Sequence, residues 1–297
     1  MPSLVIPPPL RPGATVRVIA PASPFDRTLA LCGIAFLGER YRVQFDWSMF
    51  ERDGFLAGTD ERRRRELERA IAAPEVAAVV AARGGYGITR IAADVDFAPL
   101  RAYPKWLVGF SDVTALHLEA QAVGVASLHG HNAAGLGRGD AHARANWLTA
   151  LEAPLAPREL SGTPLTPGIA RGPLVGGNLT VLFTCAVSGR LRLPAGAILA
   201  LEDVSENSYR IDRMLSALRV GGHLRGVAGI VTGSFHDCPA GLHGVTVAQV
   251  LARELGALGV PVVTGLPFGH DLPNHPLLLG APAELDADAG RLLLGKR

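Results

Sequence analysis

The sequence predicts an α/β protein with an N-terminal parallel-sheet domain, of the Rossmann or flavodoxin-like type, and a smaller C-terminal α/β domain. The first indication is that strand-like and helix-like segments alternate through the first half of the chain, as they do in parallel sheets with helices on both faces. The second is a Pro- and Gly-rich segment that interrupts this alternation. We therefore expect a domain at 1–150, a linker at 151–172 and a second domain at 173–297, with a cleft between the domains.

Apolar and β-branched runs define the strands of the predicted N-terminal sheet. These runs lie at 15–20, 41–45, 76–80 and 106–110. Helices are predicted at 29–37 and 59–72. Thr59 can cap the second helix, where Asp60 and Glu61 suit the positive end of the helix dipole.

The second half of the chain carries one clear helix signal, because apolar residues recur there at i, i+3, i+4 and i+7. They are Ile211, Met214, Leu215 and Leu218. Gly221 and Gly222 end this helix. Strand-like runs lie at 197–201 and 227–231. Since ligands bind at the carboxyl ends of strands in open α/β sheets, residues that directly follow strands are the functional candidates.

Composition and charge exclude several classes of protein. The chain has 297 residues, of which 48% are hydrophobic and 19% charged, so it can bury a sizeable core. Its formal net charge is only +2, and acidic residues surround the arginine run 62–65. That run predicts a solvated helix face, and we expect no nucleic-acid partner.

Cysteine usage and apolar runs predict a cytoplasmic protein without a membrane partner. Cys32, Cys185 and Cys238 lack the spacing of a disulfide framework or a zinc finger. Segment 1–9 has neither the basic nor the apolar region of a secretory signal. Apolar runs are interrupted by charges, Gly or Pro before they reach the ~18 residues of a membrane span.

Ser111 lies where the strand-like run 106–110 meets a helix-like segment. A serine on a tight strand-to-helix turn presents its hydroxyl beside the first N–H groups of the helix, which is the geometry of nucleophilic hydrolases. Serine is also a preferred helix N-cap, and Thr114 three residues later weakly resembles a capping box. The segment by itself is compatible with both interpretations.

The glycine-rich loop 83–87 follows the strand at 76–80 and lets backbone approach a ligand closely. It lacks the residues of a P-loop or of a dinucleotide-binding fingerprint. Beside an exposed serine, however, the N–H groups of Gly85 and Asp112 can form an oxyanion hole.

A serine nucleophile needs a base and a group that orients the base. His270 lies in a turn-rich loop after a short strand, although nine histidines compete for the role. Periodicity does not rank the candidate acids, which are Glu202, Asp203, Glu206 and Asp212.

Two other classes of function are also considered. His129 and His131 have a spacing that metal enzymes use, and His236 with Cys238 could complete a metal-dependent hydrolase site. The usual zinc-ligand spacings are missing, so we expect neither a metal nor another cofactor. The chain could also be a non-catalytic peptide binder, but a binder does not need Ser111, Glu202 and His270 together.

Taken together, these segments resemble the LD-carboxypeptidase family of serine peptidases. The resemblance covers nearly the full length and rests on blocks in order, at 10–24, 55–62, 82–87, 109–114, 129–130, 176–179, 201–204, 209–213 and 269–270. It implies that Ser111 is the nucleophile, Glu202 the orienting acid and His270 the base. It also implies oxyanion donors at Gly85 and Asp112, an active site between the two domains, and a homodimer.

The same resemblance implies hydrolysis of the bond between an L-centre of a diamino acid and a terminal D-alanine in murein tetrapeptides, for peptidoglycan recycling. Arg83 is the nearby cation for the terminal carboxylate, or else a structural arginine that hydrogen-bonds loop carbonyls. A related branch of the family gives immunity to microcin-type peptide-nucleotide antibiotics, and we rank it second. One departure is that His131 and Asn132 follow Gly130, where the family often has proline.

Overall fold

The computed structural model describes residues 3–295 and divides them into two compact units. The first consists of residues 3–154 with Pro276–Leu278, and the second of Leu155–His275 with residues 279–295. Met1 and Pro2, the start of the segment considered as a secretory signal, lie outside the described residues. Within 3–295, no helix combines the length and apolar character needed to cross a membrane.

Strands and helices are numbered in chain order. The strands are β1 (Thr15–Ile19), β2 (Arg42–Gln44), β3 (Val76–Ala81), β4 (Trp106–Gly109), β5 (Ser127–His129), β6 (Arg158–Ser161), β7 (Thr163–Thr166), β8 (Ile169–Asn178), β9 (Ile198–Val204), β10 (Gly229–His236), β11 (Val262–Thr264), β12 (Leu277–Leu279), β13 (Pro282–Asp286) and β14 (Arg291–Leu294). The helices are α1 (Arg27–Gly38), α2 (Asp60–Ala72), α3 (Ile88–Ile91), α4 (Ala98–Ala102), α5 (Thr114–Ala122), α6 (Ala133–Arg138), α7 (Ala141–Glu152), α8 (Leu179–Val187), α9 (Ser208–Val220) and α10 (Val247–Gly256). Short 3₁₀ turns lie at Trp47–Phe50, Ala92–Asp94 and Ser111–Val113.

The first unit is built on a sheet in the order β12-β5-β4-β3-β1-β2. The pairs β1–β2, β1–β3, β3–β4 and β4–β5 are all parallel. Helix α2 begins after Thr59, whose side chain accepts a hydrogen bond from the Arg62 N–H, as the capping signal predicts. The expected α/β class and parallel N-terminal sheet are confirmed.

The arginine run of α2 differs from the sequence-based expectation. Arg64 and Arg65 form ion pairs on the outer face of the helix, but Arg63 is completely buried and the Arg62 side chain is 11% exposed. The prediction of a solvated face is therefore wrong for Arg62 and Arg63. One helix nevertheless presents a buried face as well, and its arginines can hydrogen-bond backbone carbonyls there.

The second unit is built on a mixed sheet in the order β6-β14-β13-β8-β9-β10-β11-β7. Strands β8, β9, β10 and β11 pair in parallel at its centre. Antiparallel strands flank this core, with β13 against β8 on one side and β7 against β11 on the other. The centre of this unit therefore also has carboxyl ends of neighbouring parallel strands along one edge, where polar residues can meet.

The segment 151–172, predicted to be a linker, is folded structure. It contains the end of α7, strands β6 and β7 and the start of β8, and the second unit begins at Leu155. β6 and β7 lie at the two edges of the sheet. Edge strands tolerate proline because one side needs no ladder hydrogen bond, so a composition typical of linkers here belongs to short edge strands.

Candidate active site

Ser111 lies on a strained turn at the carboxyl end of β4. Phe110 is still extended, but Ser111 has a φ of 65°, a left-handed conformation that is uncommon outside glycine. Neither the 3₁₀ turn that starts at Ser111 nor helix α5 has a side-chain cap. The helix-cap interpretation of Ser111 therefore finds no support in the structure. Strain at a single residue is typical of functional sites.

The backbone before Ser111 is held by a buried histidine that the sequence did not single out. His117 places Nε2 3.0 Å from the Gly109 carbonyl oxygen and Nδ1 2.8 Å from the Ser127 hydroxyl. A carbonyl only accepts hydrogen bonds, so Nε2 carries the proton and Nδ1 accepts from Ser127. Burial lowers the pKa of His117 to about 4, which keeps the imidazole neutral.

The glycine-rich loop lies directly against Ser111. A Cβ atom on Gly84 would lie 2.8 Å from the Ser111 Cβ and 3.1 Å from its Oγ, so only glycine fits there. Gly85 has a φ of 108°, and the next N–H, of Tyr86, donates to the Ser23 hydroxyl at 3.0 Å. Gly84 was missed by sequence reasoning, although it belongs to the loop that was singled out.

Asp112 and Arg83 both interact with backbone groups of neighbouring segments. The Asp112 carboxylate is buried and accepts a hydrogen bond from the Ile88 N–H at 2.9 Å. Burial raises the pKa of Asp112 to about 6. Arg83 is exposed and donates from Nη1 to the Pro24 carbonyl at 2.6 Å. That contact is the structural role considered for Arg83, and it leaves the guanidinium accessible to solvent.

In the second unit, Glu202 and His270 form a close pair. Glu202 Oε2 lies 2.6 Å from His270 Nδ1; the carboxylate side chain is fully buried and the imidazole is 17% exposed. Burial, the largest single influence, lowers the pKa of His270, but the hydrogen bond and charge of Glu202 outweigh it. The pKa of His270 is therefore raised above its ordinary value.

The structure ranks the acids that periodicity left open. Glu202 lies within β9, which continues to Val204 rather than ending at residue 201. The neighbouring Asp203 accepts hydrogen bonds from Asn178 Nδ2 and from the N–H and hydroxyl of Thr180. Asp212 pairs with Arg253, and Glu206 lies 3.5 Å from Arg210. Among these four acids, Glu202 alone is paired with His270 in the described chain.

Hydrogen bonds on both sides of His270 shape its loop. The Gly269 N–H donates to Asn274 Oδ1 at 3.0 Å, and the Asp271 N–H donates to the Ser234 hydroxyl at 3.1 Å. Gly269 has a φ of 112°, and a Cβ there would lie 3.0 Å from Glu202 Oε2. Glycine at 269 therefore allows the loop to approach the carboxylate.

The histidines of the metal hypothesis lie in two different environments. His129 and His131 are buried in the first unit, where both rings lie beside Phe110. The centroid of the Phe110 ring is 6.0 Å from that of His129 and 6.3 Å from that of His131. His236 pairs with Asp271 in the second unit. Within residues 3–295, no group of three or more histidine, cysteine or acidic residues is arranged to hold a metal ion. Of His131 and Asn132, which follow Gly130 where the family resemblance implies proline, Asn132 caps α6 by accepting from the Gly135 N–H at 2.8 Å.

Comparison with solved structures supports this fold. The muramoyltetrapeptide carboxypeptidase of Oxalobacter formigenes superposes with a TM-score of 0.86 at 31% identity, over 95% of this chain and 99% of that one. The microcin C7 self-immunity protein MccF superposes with a TM-score of 0.88, over 99% of both chains, but at 20% identity. At that identity the MccF match shows the fold alone.

Sequence comparison identifies the family. The chain is 36% identical to the probable murein peptide carboxypeptidase of Bacillus subtilis, over 93% of this chain and 90% of that protein. It is 33% identical to the murein tetrapeptide carboxypeptidase of Pseudomonas aeruginosa, over 92% of this chain and 93% of that protein. Family models for the LD-carboxypeptidase N-terminal and C-terminal domains match residues 16–130 and 171–285. The chain therefore belongs to the LD-carboxypeptidase family.

Proposed function

We propose that this protein is a serine-type LD-carboxypeptidase that removes the terminal D-alanine from murein tetrapeptides in peptidoglycan recycling. The observation that carries the proposal is the 2.6 Å pair of Glu202 and His270, together with a serine held in a left-handed turn. The relatives named as murein peptide carboxypeptidases support this substrate class.

In the proposed mechanism, Ser111 attacks the carbonyl of the diamino acid while His270 takes the hydroxyl proton. The hydrogen bond to Glu202 occupies Nδ1, so Nε2 is the nitrogen that accepts this proton, and the buried carboxylate stabilises the imidazolium. His270 then gives the proton to the amine of the departing D-alanine. Water activated by the same imidazole releases the acyl group from Ser111.

Two further roles follow from the first unit. The N–H groups of Gly85 and Asp112 are the proposed donors to the oxyanion that forms on the attacked carbonyl. Arg83, exposed on the same loop as Gly85, is the proposed partner of the substrate's terminal carboxylate. We further propose a cytoplasmic homodimer, as the family resemblance implies, and light scattering of the purified protein tests the dimer.

The test is release of D-alanine from a murein tetrapeptide, measured by mass spectrometry. We expect Ser111→Ala to lower kcat by about 10⁴-fold or more, because the acyl-enzyme cannot form. Ser161→Ala, at an exposed position of β6, is the matched control and leaves kcat unchanged. Turnover by Ser111→Ala equal to that of the wild type would exclude the serine mechanism. Turnover of a microcin-type peptide nucleotide but not of the tetrapeptide would support the immunity branch.

A further inference from the structure

Arg63 is a buried cation that joins two loops of the first unit. Its side chain is fully buried, and Nη1 donates both to the Pro21 carbonyl at 2.6 Å and to the Gly87 carbonyl at 2.8 Å. Nη2 forms an ion pair with Asp60 on the same helix. One guanidinium therefore connects α2 to the loop after β1 and to the glycine-rich loop after β3.

Asp112 contacts the same peptide group from the other side. The Gly87 carbonyl and the Ile88 N–H belong to one peptide unit, and the Ile88 N–H donates to Asp112 Oδ2 at 2.9 Å. The positive charge of Arg63 thus meets the oxygen of this peptide, and the carboxylate of Asp112 meets its N–H. We call these two side chains and the Gly87–Ile88 peptide the peptide clamp.

Glycine at position 87 is a requirement of the peptide clamp. Gly87 has a φ of 121°, and a Cβ atom there would lie 2.8 Å from Arg63 Nη1. A side chain would displace the guanidinium and would also strain the backbone. Hydrogen bonds to charged groups are stronger than those between neutral groups, and burial strengthens them further because water does not screen the charge.

The peptide clamp connects the two proposed oxyanion donors. Gly85 lies two residues before the clamped peptide, and the N–H of Asp112 itself is the second donor. We propose that Arg63 and Asp112 are positioning residues, which set the distance between the Gly85 and Asp112 N–H groups by fixing the Gly87–Ile88 peptide. This inference rests on the proposed serine mechanism.

Variants of Asp112 separate this role from ordinary stability. Asp112→Asn keeps an oxygen that accepts from the Ile88 N–H, whereas Asp112→Ala removes it. We expect Asp112→Ala to lower kcat by about 100-fold, the effect of losing one oxyanion donor, with KM changed by less than about threefold. Asp112→Asn should restore kcat to within about tenfold of the wild type.

Arg63→Met has a matched control in the same unit. Lys105 is also a fully buried cation, and its ammonium donates to the carbonyls of Ala70 and Ala73 near the C-terminal end of α2. Both Arg63→Met and Lys105→Met remove a buried cation from backbone carbonyls, so both should lower the Tm. We expect only Arg63→Met to lower kcat, by about tenfold or more.

Hydrogen–deuterium exchange provides a readout that does not depend on turnover. Peptides that cover 84–91 should exchange faster in Asp112→Ala than in Asp112→Asn by about tenfold, because the Ile88 N–H loses its acceptor. Equal exchange in the two variants, or equal kcat, would overturn the inference even if Arg63→Met does not fold. Failure of the proposed function is a different result, since Ser111→Ala would then retain turnover while the exchange difference persists.

Discussion

The Ser111 side chain is placed by a strained backbone turn and by close packing, whereas the His270 side chain is placed by a direct hydrogen bond to another side chain. Ser111 occupies a left-handed conformation, is approached by Gly84 and follows a strand end whose Gly109 carbonyl is held by His117. His270 instead owes its orientation to Glu202, on a different strand. Close packing therefore limits substitutions at positions that contact the Ser111 side chain, while charge and hydrogen bonding limit those at positions that contact the His270 side chain.

Each unit also contains a buried aspartate directly after a proposed catalytic residue. Asp112 follows Ser111 and Asp203 follows Glu202, and burial raises the pKa of each to about 6. Asp203 binds side chains and backbone of a neighbouring segment through Asn178 and Thr180, whereas Asp112 binds the backbone N–H of Ile88, directly after the glycine-rich loop. In both units a carboxylate next to a proposed catalytic residue anchors a separate segment of the chain.

The largest effect on kcat should come from a substitution that changes the hydrogen bond to His270. Glu202→Gln keeps the shape of the side chain but can favour the wrong imidazole tautomer, so we expect kcat to fall by about 10⁴-fold. Asp212→Asn, which removes the negative charge from a half-buried partner of Arg253, is the control and should leave kcat unchanged. Steady-state kinetics with the tetrapeptide measure both. Full activity of Glu202→Gln would show that His270 does not need a charged partner at Nδ1.

Next to Ser111, a single added methyl group should be sufficient to impair catalysis. Gly84→Ala places a Cβ 2.8 Å from the Ser111 Cβ, which forces the serine or the loop to shift. We expect kcat to fall by about 100-fold, as for small misplacements of reacting groups. Gly38→Ala, at the end of α1 with no heavy atom within 4 Å of the added Cβ, is the control. Similar kcat values for the two variants would contradict a steric limit around Ser111.

The smallest effect concerns pH. In the proposed mechanism His270 must be neutral to accept a proton, so kcat/KM should rise with pH through the pKa of His270, which lies above its ordinary value. The negative charge of Asp271 contributes to this increase. Asp271→Asn should therefore move the acid limb of the profile to lower pH, by less than about one unit. Asp288→Asn, at an exposed position of the same unit, is the control and should leave the acid limb in place. An acid limb that does not move in Asp271→Asn would show that the charge of Asp271 has little influence on the pKa of His270.

Local signals predicted local structure well. The Thr59 cap, the strand at 76–80 and the glycine stop after α9 depend on interactions within a few residues, and each is present in the structure. The prediction of a linker at 151–172 is wrong, because a composition rich in proline and glycine occurs in short edge strands as well as in linkers.

By itself, the sequence determined the α/β class, the strand-to-helix turn at Ser111 and, through ordered motifs, the family. Tertiary structure decided which of four acids meets His270 and that Arg63 is buried rather than solvated. The physical reason is distance along the chain: 68 residues separate His270 from Glu202, and 24 separate Arg63 from Gly87. Contacts of that range depend on the pairing of strands and the paths of loops, which periodicity does not encode.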